Sequence, residues 1–203
     1  MSKNLVVLLH GVGSRGSDFR GVAERWQQAM PQVSIALPDG PSVFDMGPGF
    51  QWFSVSGVTE ENRPARIMAA RQAFDTRLAD VFRQQDINPD TDRVILAGFS
   101  QGAIMAMDAL IRADYPLAGV VAFSGRLASP LPFQPHTGSA ALLIHGKADQ
   151  VISWQESQKA AEALSTAGVQ VELSIEEHVP HTINLAGIKT AARFIKQRFT
   201  LAD

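Results

Sequence analysis

The sequence predicts an α/β fold in which helices cover both faces of a mostly parallel central sheet. Short apolar runs alternate with longer segments whose apolar residues recur at helical spacing, as in strands joined by crossover helices. Residues 5–9 form an uninterrupted apolar run, which is typical of a central strand buried on both faces. Residues 169–175 alternate apolar and polar side chains, which indicates a strand near the edge of the sheet. No linker or repeat interrupts the pattern, so we expect a single domain over residues 1–203.

The remaining elements follow from local signals along the chain. Strands are predicted at residues 33–37, 93–99, 117–123 and 140–145, each of which is a short apolar run. Helices are predicted at residues 17–30, 63–81, 101–113, 153–167 and 185–199, where apolar positions fall on one face. Three helix ends carry further signals: Pro64 in a first turn, a capping box from Ser153 to Glu156, and Gly168 just after a last turn.

Residues 38–58 form the longest stretch without a clear period. Glycine and proline punctuate it, yet it contains several large apolar residues, among them Trp52 and Phe53. A loop of this length in a compact domain is often functional, but its apolar residues would equally well close a second small core. The sequence leaves both interpretations open.

The composition narrows the range of functions. The 203 residues contain 18 Lys and Arg against 20 Asp and Glu, and no cysteine. A net charge of −2 provides no basic surface for phosphate backbones, so we expect no nucleic-acid partner. Without cysteine the chain has no disulfide, thiolate nucleophile or zinc–thiolate site. No run approaches the roughly 20 apolar residues of a membrane helix, and residues 5–9 are too few for a signal-peptide core. We therefore expect a cytoplasmic protein with no stable membrane insertion.

Residues 11–16 read GVGSRG, a literal G-x-G-x-x-G between a predicted strand and a predicted helix, and Asp39 follows the next strand. In dinucleotide-binding proteins such a loop brings backbone N–H groups to a pyrophosphate, and a later acidic residue binds the ribose. An oxidoreductase that binds a dinucleotide is therefore one interpretation. Its acid, however, would lie beyond Pro38 instead of at the tip of the strand.

Residues 98–102 read GFSQG, a G-x-S-x-G motif between a predicted strand and a helix of small residues. A serine in this sharp turn is lifted above the sheet as a nucleophile, and the small residues around it let the backbone fold closely. A serine nucleophile needs an imidazole base, and the base needs a carboxylate. Asp149 and then His181 follow Ser100 on loops after later strands, in the order found in α/β-hydrolases. His178 is a second candidate for the base.

The hydrolase interpretation also accounts for the first glycine motif, because the loop after the early central strand carries an oxyanion-hole amide in that fold. We therefore predict an α/β-hydrolase fold. Only sixteen residues separate Phe123 from Ala140, which leaves no room for a cap domain. An open site for small or medium acyl groups is expected.

Five segments carry a resemblance that extends over nearly the whole chain. They are LHGVG at 9–13, QWF at 51–53, GFSQGA at 98–103, HGKADQVI at 145–152 and HTI at 181–183. Together they resemble the phospholipase/carboxylesterase family of α/β-hydrolases, which includes acyl-protein thioesterases and small bacterial carboxylesterases. Residues 52–63 most resemble a bacterial esterase branch of that family.

This resemblance implies a role for each residue of the site. It implies Ser100 as the nucleophile, Asp149 as the orienting acid and His181 as the base. It also implies an oxyanion hole formed by the backbone N–H groups of Val12 and Gln101.

Three positions depart from the family pattern. Ser14 and Ser54 stand where members often have aspartate, and Pro180 stands where glycine is usual. The two serines put an acyl-protein thioesterase specificity in doubt more than the catalysis.

Other residues receive supporting roles. Trp52, Phe53 and Leu131 are expected to line the substrate pocket, although the same apolar loops would also suit a homodimer interface. His10 and His145 precede glycines at strand ends and are expected to hold loops by hydrogen bonds. No cofactor is expected, and no metal, because His178 and His181 have no placed third ligand.

The sequence thus predicts a serine esterase whose small-molecule substrates are short- to medium-chain acyl esters. It would hydrolyse them through a Ser-His-Asp triad and an acyl-enzyme intermediate. An acyl-protein thioesterase or lysophospholipase is an alternative within the same fold. A dinucleotide-binding oxidoreductase and a non-catalytic hydrolase-fold binding protein are alternatives from other classes.

Overall fold

Six parallel strands form the central sheet of the computed structural model, which describes residues 2–201. In chain order the strands are β1 Asn4–Leu9, β2 Ser34–Ala36, β3 Ser42–Val43, β4 Phe50–Gln51, β5 Arg93–Phe99, β6 Gly119–Phe123, β7 Ala140–Gly146 and β8 Gln170–Glu176. The central sheet has the order β2-β1-β5-β6-β7-β8, and β3 pairs with β4 in a separate antiparallel hairpin. Because neighbouring strands of the central sheet are parallel, their carboxyl ends meet at one edge, where ligand sites of open α/β sheets are found.

Helices cover both faces of this sheet. They are α1 Arg20–Ala29, α2 Arg63–Gln84, α3 Gln101–Arg112, α4 Gln155–Thr166 and α5 Leu185–Phe199. Alternate side chains of β1 explain the two layers, because successive residues of a strand point to opposite faces. Leu5, Val7 and Leu9 pack in the core beneath α2, α3 and α4. Val6 and Leu8 pack in the core beneath α1 and α5.

The predicted fold class is confirmed. The strand β8 forms one edge of the sheet, as its alternating pattern predicted, although the apolar Leu173 on it is 40% exposed. Residues 124–139 contain no helix or strand, so no cap domain lies between β6 and β7. Among residues 2–201, no helix combines the length and the apolar character needed to cross a membrane.

Three local expectations differ from the structure. The capping box at the start of α4 is not formed, because the helix begins after Trp154 and the Glu156 carboxylate binds Lys159 instead. The helix expected over residues 17–30 is divided into a 3₁₀ turn, Gly16–Phe19, and α1. The stretch 38–58 contains the β3–β4 hairpin. Each of its strands has only two residues, which is too short to produce a periodic pattern in the sequence.

Candidate active site

Ser100 lies in the sharp turn between β5 and α3, at the carboxyl edge of the central sheet. Its φ of 54° and ψ of −115° are a conformation that a serine rarely adopts. Its N–H donates to the carbonyl of Phe123 at 2.9 Å, which ties the turn to β6. A strained residue of this kind persists only where its surroundings hold it, and such residues are concentrated at functional sites.

Two glycines make the turn sterically possible. A Cβ atom on Gly98 would lie 2.3 Å from the carbonyl of Gly102, and one on Gly102 would lie 2.2 Å from the carbonyl oxygen of Leu9. Because these neighbours are backbone atoms, any side chain here would push α3 away from the sheet. The motif therefore needs both glycines for the close approach of helix and strands.

Asp149 is a buried carboxylate in the loop after β7. Its Oδ1 accepts hydrogen bonds from the N–H groups of Val151 and Ile152 at 2.8 and 2.9 Å, and its Oδ2 lies 2.7 Å from Nδ1 of His181. Burial opposes ionisation, but the hydrogen bonds from His181 and the two N–H groups outweigh it and keep the pKa of Asp149 below its usual value. Asp149 is therefore ionised at neutral pH and can orient an imidazole.

The loop that carries His181 is joined to the loop that carries Asp149. The N–H groups of Lys147 and Ala148 donate to the carbonyls of Glu176 and Val179 at 2.9 and 3.0 Å. These two bonds extend the pairing of β7 with β8 beyond the ends of the strands. They hold the two loops in a fixed relation at the edge of the sheet.

The His181 ring packs against Phe99, the residue before Ser100, with ring centroids 4.8 Å apart. His178, the second candidate base, is exposed, and it is His181 that contacts Asp149. Within residues 2–201 no hydrogen bond joins Ser100 Oγ to the His181 ring; contacts of this kind often tighten only when substrate binds.

A second histidine, His145, contacts the same carboxylate. Its Nε2 lies 3.2 Å from Asp149 Oδ2 and 2.8 Å from the carbonyl oxygen of Ile152, and its Nδ1 lies 2.6 Å from Ser157 Oγ. Burial lowers the pKa of His145, so the ring is neutral at pH 7. Because both neighbours of Nε2 are acceptors, we assign the proton to Nε2, and Nδ1 then accepts from the Ser157 hydroxyl. The expected loop-holding role of His145 thus includes a direct contact with Asp149.

The N–H groups of Val12 and Gln101 are available to an oxyanion. Among the described residues 2–201, neither N–H donates a hydrogen bond to another protein group. Both residues line the same cavity as Ser100. A Cβ atom on Gly11 would lie 3.5 Å from Ser100 Cβ, so the turn that carries Val12 packs directly on this serine. Two unpaired N–H groups beside a nucleophile are the arrangement that stabilises a tetrahedral intermediate.

The β3–β4 hairpin supports this turn. The N–H of Gly13 donates to the carbonyl of Phe50, and the N–H of Phe50 donates to the carbonyl of Ser14, both at 2.8 Å. Nε2 of the buried His10 accepts from the N–H of Gly40 at 2.8 Å, which fixes the start of the same stretch. Residues 38–58 therefore position the turn that carries Val12 as well as filling core space.

The same contacts leave the dinucleotide interpretation without a site. Asp39, the residue expected at the ribose, accepts a hydrogen bond from the N–H of Gly16 at 2.8 Å, so its carboxylate is used to join the glycine turn to the loop after β2. A Cβ atom on Gly49 would lie 2.4 Å from the carbonyl oxygen of Gly13. The hairpin thus packs where a pyrophosphate would have to approach.

A cavity of about 220 Å³ opens beside Ser100. Its apolar wall consists of Phe53, Val55, Val58, Ile104, Val151 and Ile152. Phe53, one of the residues expected at the substrate pocket, lies in this wall. Its polar lining residues are Ser100, Gln101, Arg63 and Arg126.

Two residues expected in the substrate pocket lie elsewhere. Trp52 is 2% exposed, because its indole N–H donates to the carbonyl of His10 at 2.9 Å and its ring packs on Phe74 in the core. Leu131 is 79% exposed and borders a different surface depression, beside Met68. Neither side chain lines the cavity at Ser100, and both expectations are corrected.

One contact at the site was not foreseen from the sequence. The side chain of Gln101 accepts from the N–H of Trp52 and donates to the carbonyl of Phe53, each at 2.7 Å. It therefore pins the segment after β4 to the first turn of α3. The G-x-S-x-G motif leaves this position unspecified, so only the presence of a long amide side chain there could have suggested the contact.

Known proteins are similar to this chain in sequence and in fold. The family model described as Phospholipase/Carboxylesterase matches residues 1–199. Esterase YpfH of Escherichia coli strain K12 is 36% identical over 184 residues, which cover 90% of this chain and 78% of that protein. Acyl-protein thioesterase 1 of Neurospora crassa is 24% identical over 210 residues, which cover 95% of this chain and 86% of that protein. The crystal structure of esterase PE8 matches with a TM-score of 0.87 at 34% identity, over 97% of this chain and 93% of that chain.

Proposed function

This chain belongs to the phospholipase/carboxylesterase family of ester-hydrolysing serine hydrolases, and we propose that it is an esterase for short- to medium-chain acyl esters that uses Ser100, His181 and Asp149 as a triad. One observation carries the proposal. The strained Ser100 shares a cavity with Val12 and Gln101, whose N–H groups donate to no other group of residues 2–201, and His181, which packs on the adjacent Phe99, is bound to a buried carboxylate.

In the acylation half of the proposed reaction, Ser100 Oγ attacks the ester carbonyl carbon while His181 takes the hydroxyl proton. The N–H groups of Val12 and Gln101 donate to the negatively charged oxygen of the tetrahedral intermediate. The ionised Asp149 stabilises the imidazolium that forms. The intermediate then releases the alcohol, which leaves with the proton from His181, and the acyl group stays on Ser100.

In the deacylation half, His181 takes a proton from water, and the resulting nucleophile attacks the acyl-enzyme. The same two N–H groups stabilise the second tetrahedral intermediate. Its collapse releases the carboxylic acid and returns the proton to Ser100. The net reaction converts one ester and one water into one acid and one alcohol.

The cavity supports a preference for acyl groups of limited size. Its volume of about 220 Å³ and its apolar wall around Phe53 suit a short to medium acyl chain. A series of 4-nitrophenyl esters from acetate to decanoate tests this preference, with kcat/KM expected to peak before octanoate. A steady rise to decanoate would contradict the proposed size limit.

The nucleophile is tested by Ser100→Ala with 4-nitrophenyl butyrate as substrate. We expect kcat to fall by about three orders of magnitude or more, because triad members act as a unit. Ser165→Ala, at an exposed position on α4, is the matched control. Stoichiometric labelling of Ser100 by a fluorophosphonate supports turnover chemistry, whereas absent labelling would favour the non-catalytic binding protein. Near wild-type hydrolysis by Ser100→Ala would refute the proposal.

The base is tested by comparing His181→Ala with His178→Ala. Loss of the contact with Asp149 is expected only in the first variant, which should lose activity as severely as Ser100→Ala. The second variant should keep most of its activity, because His178 is exposed. The opposite order would transfer the role of base to His178.

A thioesterase activity is the second candidate, favoured by the similarity to a protein named acyl-protein thioesterase 1. Matched oxygen and sulfur esters of butyrate distinguish the two, and we expect higher kcat/KM on the oxygen esters.

We also propose a cytoplasmic location and association into a homodimer through exposed apolar loops. Cell fractionation and light scattering of the purified protein test these two points.

A further inference from the structure

Two arginines, Arg63 and Arg126, line the same cavity as Ser100. Arg63 is the first residue of α2, and Arg126 lies in the loop after β6. Both side chains are half-buried. The proposed hydrolysis of a neutral ester uses neither of them.

The protein itself does not satisfy these two guanidinium groups. Across residues 2–201, neither side chain donates a hydrogen bond or forms a salt bridge. Two other arginines of α2 are paired. Arg71 binds both carboxylate oxygens of Asp108 at 2.9 and 3.1 Å, and Arg66, one turn after Arg63, donates to the carbonyl of Ser54 at 3.2 Å.

The two unpaired cations also lie within electrostatic range of each other. Burial, and after it the charge of Arg126, lowers the pKa of Arg63. Glu60, Glu156 and Glu61 offset part of this effect, but the Glu156 carboxylate is bound to Lys159 at 2.9 Å. Like charges beside an apolar wall repel more strongly than in water, because the effective dielectric constant is lower there. An anion in the cavity would remove this repulsion.

We propose that the substrate is an ester that also carries an anionic group, a carboxylate or a phosphate, and that Arg63 and Arg126 bind this group in the Ser100 cavity. Guanidinium groups suit this task, because their planar donors match both anions in a bidentate geometry. Most of the other residues of the cavity wall are apolar, so the acyl chain and the anion would occupy different parts of it. This inference rests on the proposed esterase function and adds the class of its substrate.

Two matched pairs of esters test the inference. Mono-4-nitrophenyl glutarate and its methyl ester place the charge, or a neutral equivalent, on the acyl side. 4-(Butyryloxy)benzoate and its methyl ester place it on the alcohol side. The measured quantity is the ratio of kcat/KM for the anionic ester to kcat/KM for its neutral partner, which cancels any loss of folded enzyme.

We expect this ratio to fall about tenfold or more in Arg63→Gln and in Arg126→Gln, and further in the double variant, for at least one pair of esters. Arg25→Gln is the matched control, because Arg25 is exposed on α1 and lies outside this cavity. Its ratio should equal that of the wild type. If the variants hydrolyse the neutral esters but keep ratios within twofold of wild type for both pairs, the anion site is overturned. The proposed esterase function is not affected by that result.

A binding measurement separates failure of this site from failure of the esterase function. If the wild type hydrolyses none of the four esters, the esterase function fails, and calorimetric titration still tests the arginines. Butyl phosphate and pentanoate are titrated into the Ser100→Ala protein with and without the two Arg→Gln changes. We expect Kd for at least one anion to rise tenfold or more on loss of the arginines, and the tighter of the two identifies phosphate or carboxylate. Equal Kd values with and without the arginines would overturn the site.

Discussion

His145 Nε2 lies 3.2 Å from Asp149 Oδ2, the same oxygen that His181 Nδ1 contacts at 2.7 Å. One carboxylate oxygen thus stands between a buried neutral imidazole and the imidazole of the proposed base. The hydroxyl of Ser157 holds the first ring from the other side at 2.6 Å. A chain of hydrogen bonds therefore runs from α4 to the proposed base and fixes the orientation of the acid.

Removal of the His145 donor should weaken catalysis without removing the acid. In His145→Leu, Asp149 keeps its contact with His181 but loses one hydrogen bond to a charged group, worth about 1.5–3 kcal/mol. We expect kcat to fall about tenfold while KM stays within twofold. Steady-state kinetics on 4-nitrophenyl butyrate measure this, provided that circular dichroism shows the variant folded.

Ser157→Ala is the milder companion, because it leaves His145 in place. A buried Nδ1 without its donor should lower the free energy of unfolding by about 1–3 kcal/mol, with a smaller effect on kcat than in His145→Leu. Unchanged stability in Ser157→Ala, together with unchanged kcat in His145→Leu, would mean that the hydrogen bonds through Ser157 and His145 do not position Asp149.

The Gln101 side chain should contribute to activity, although the proposed oxyanion contact of this residue uses only its backbone N–H. Gln101→Ala keeps the N–H but removes the two bonds, each of 2.7 Å, that hold Trp52 and Phe53. We expect kcat/KM to fall at least tenfold, because the cavity wall at Phe53 loses its anchor. Gln158→Ala, at an exposed position on α4, serves as the control. Equal activity of Gln101→Ala and wild type would show that the wall needs no such anchor.

Gly146→Ala should displace the loop of His181. The added Cβ would lie 2.1 Å from the carbonyl oxygen of Val179, a backbone atom two residues before His181. A displacement of about 1 Å near a reacting group can cost about a hundredfold in rate, so we expect a loss of this size in kcat. Gly21→Ala, on α1 with open space around it, should leave kcat unchanged. Full activity of Gly146→Ala would mean that the loop adjusts freely.

Acid should destabilise the fold through two buried histidines. Burial lowers the pKa of His10 and of His145 in the folded protein, whereas a histidine of the unfolded chain has a pKa of about 6.5. Below that pH the unfolded state binds more protons than the folded state, so the free energy of unfolding falls as the pH falls. The slope is at most about 1.4 kcal/mol per pH unit for each histidine.

Urea denaturation at pH 7.5, 6.0 and 5.0 measures this slope. The lowered pKa of Asp149 acts in a different window, because its stabilising contribution is complete above the unfolded value of about 3.9 and is lost only as the pH falls below it. A free energy of unfolding that is constant from pH 7.5 to 5.0 would contradict the assignment of two neutral buried rings.

Much of the fold followed from signals that are local in the chain. The uninterrupted run at 5–9 became the central strand β1, and the alternating run at 169–175 became the edge strand β8. The glycines around Ser100 were expected to allow close packing, and their missing Cβ atoms would meet backbone at 2.2 and 2.3 Å. These signals report the conformation of a few neighbouring residues, and here the tertiary structure kept that conformation.

Side-chain directions in the loops could not be read in the same way. Trp52 and Phe53 are adjacent and both aromatic, yet Trp52 fills the core and Phe53 lines the cavity. The Gln101 side chain, far along the chain, holds the backbone on which that difference depends. Leu131 is as apolar as Phe53, but it lies on a loop that faces another depression. Composition carries no information about such directions.

The sequence by itself determined the α/β class, the absence of cysteine chemistry and the order of Ser100, Asp149 and His181, because strand periodicity, residue type and chain order are properties of the chain alone. Only the tertiary structure decided that His181, not His178, reaches Asp149. It also decided that Arg63 and Arg126 share the cavity of Ser100. The physical reason is the same in both cases: these relations join segments distant in sequence, and they exist only after the carboxyl ends of the parallel strands have been brought to one edge of the sheet.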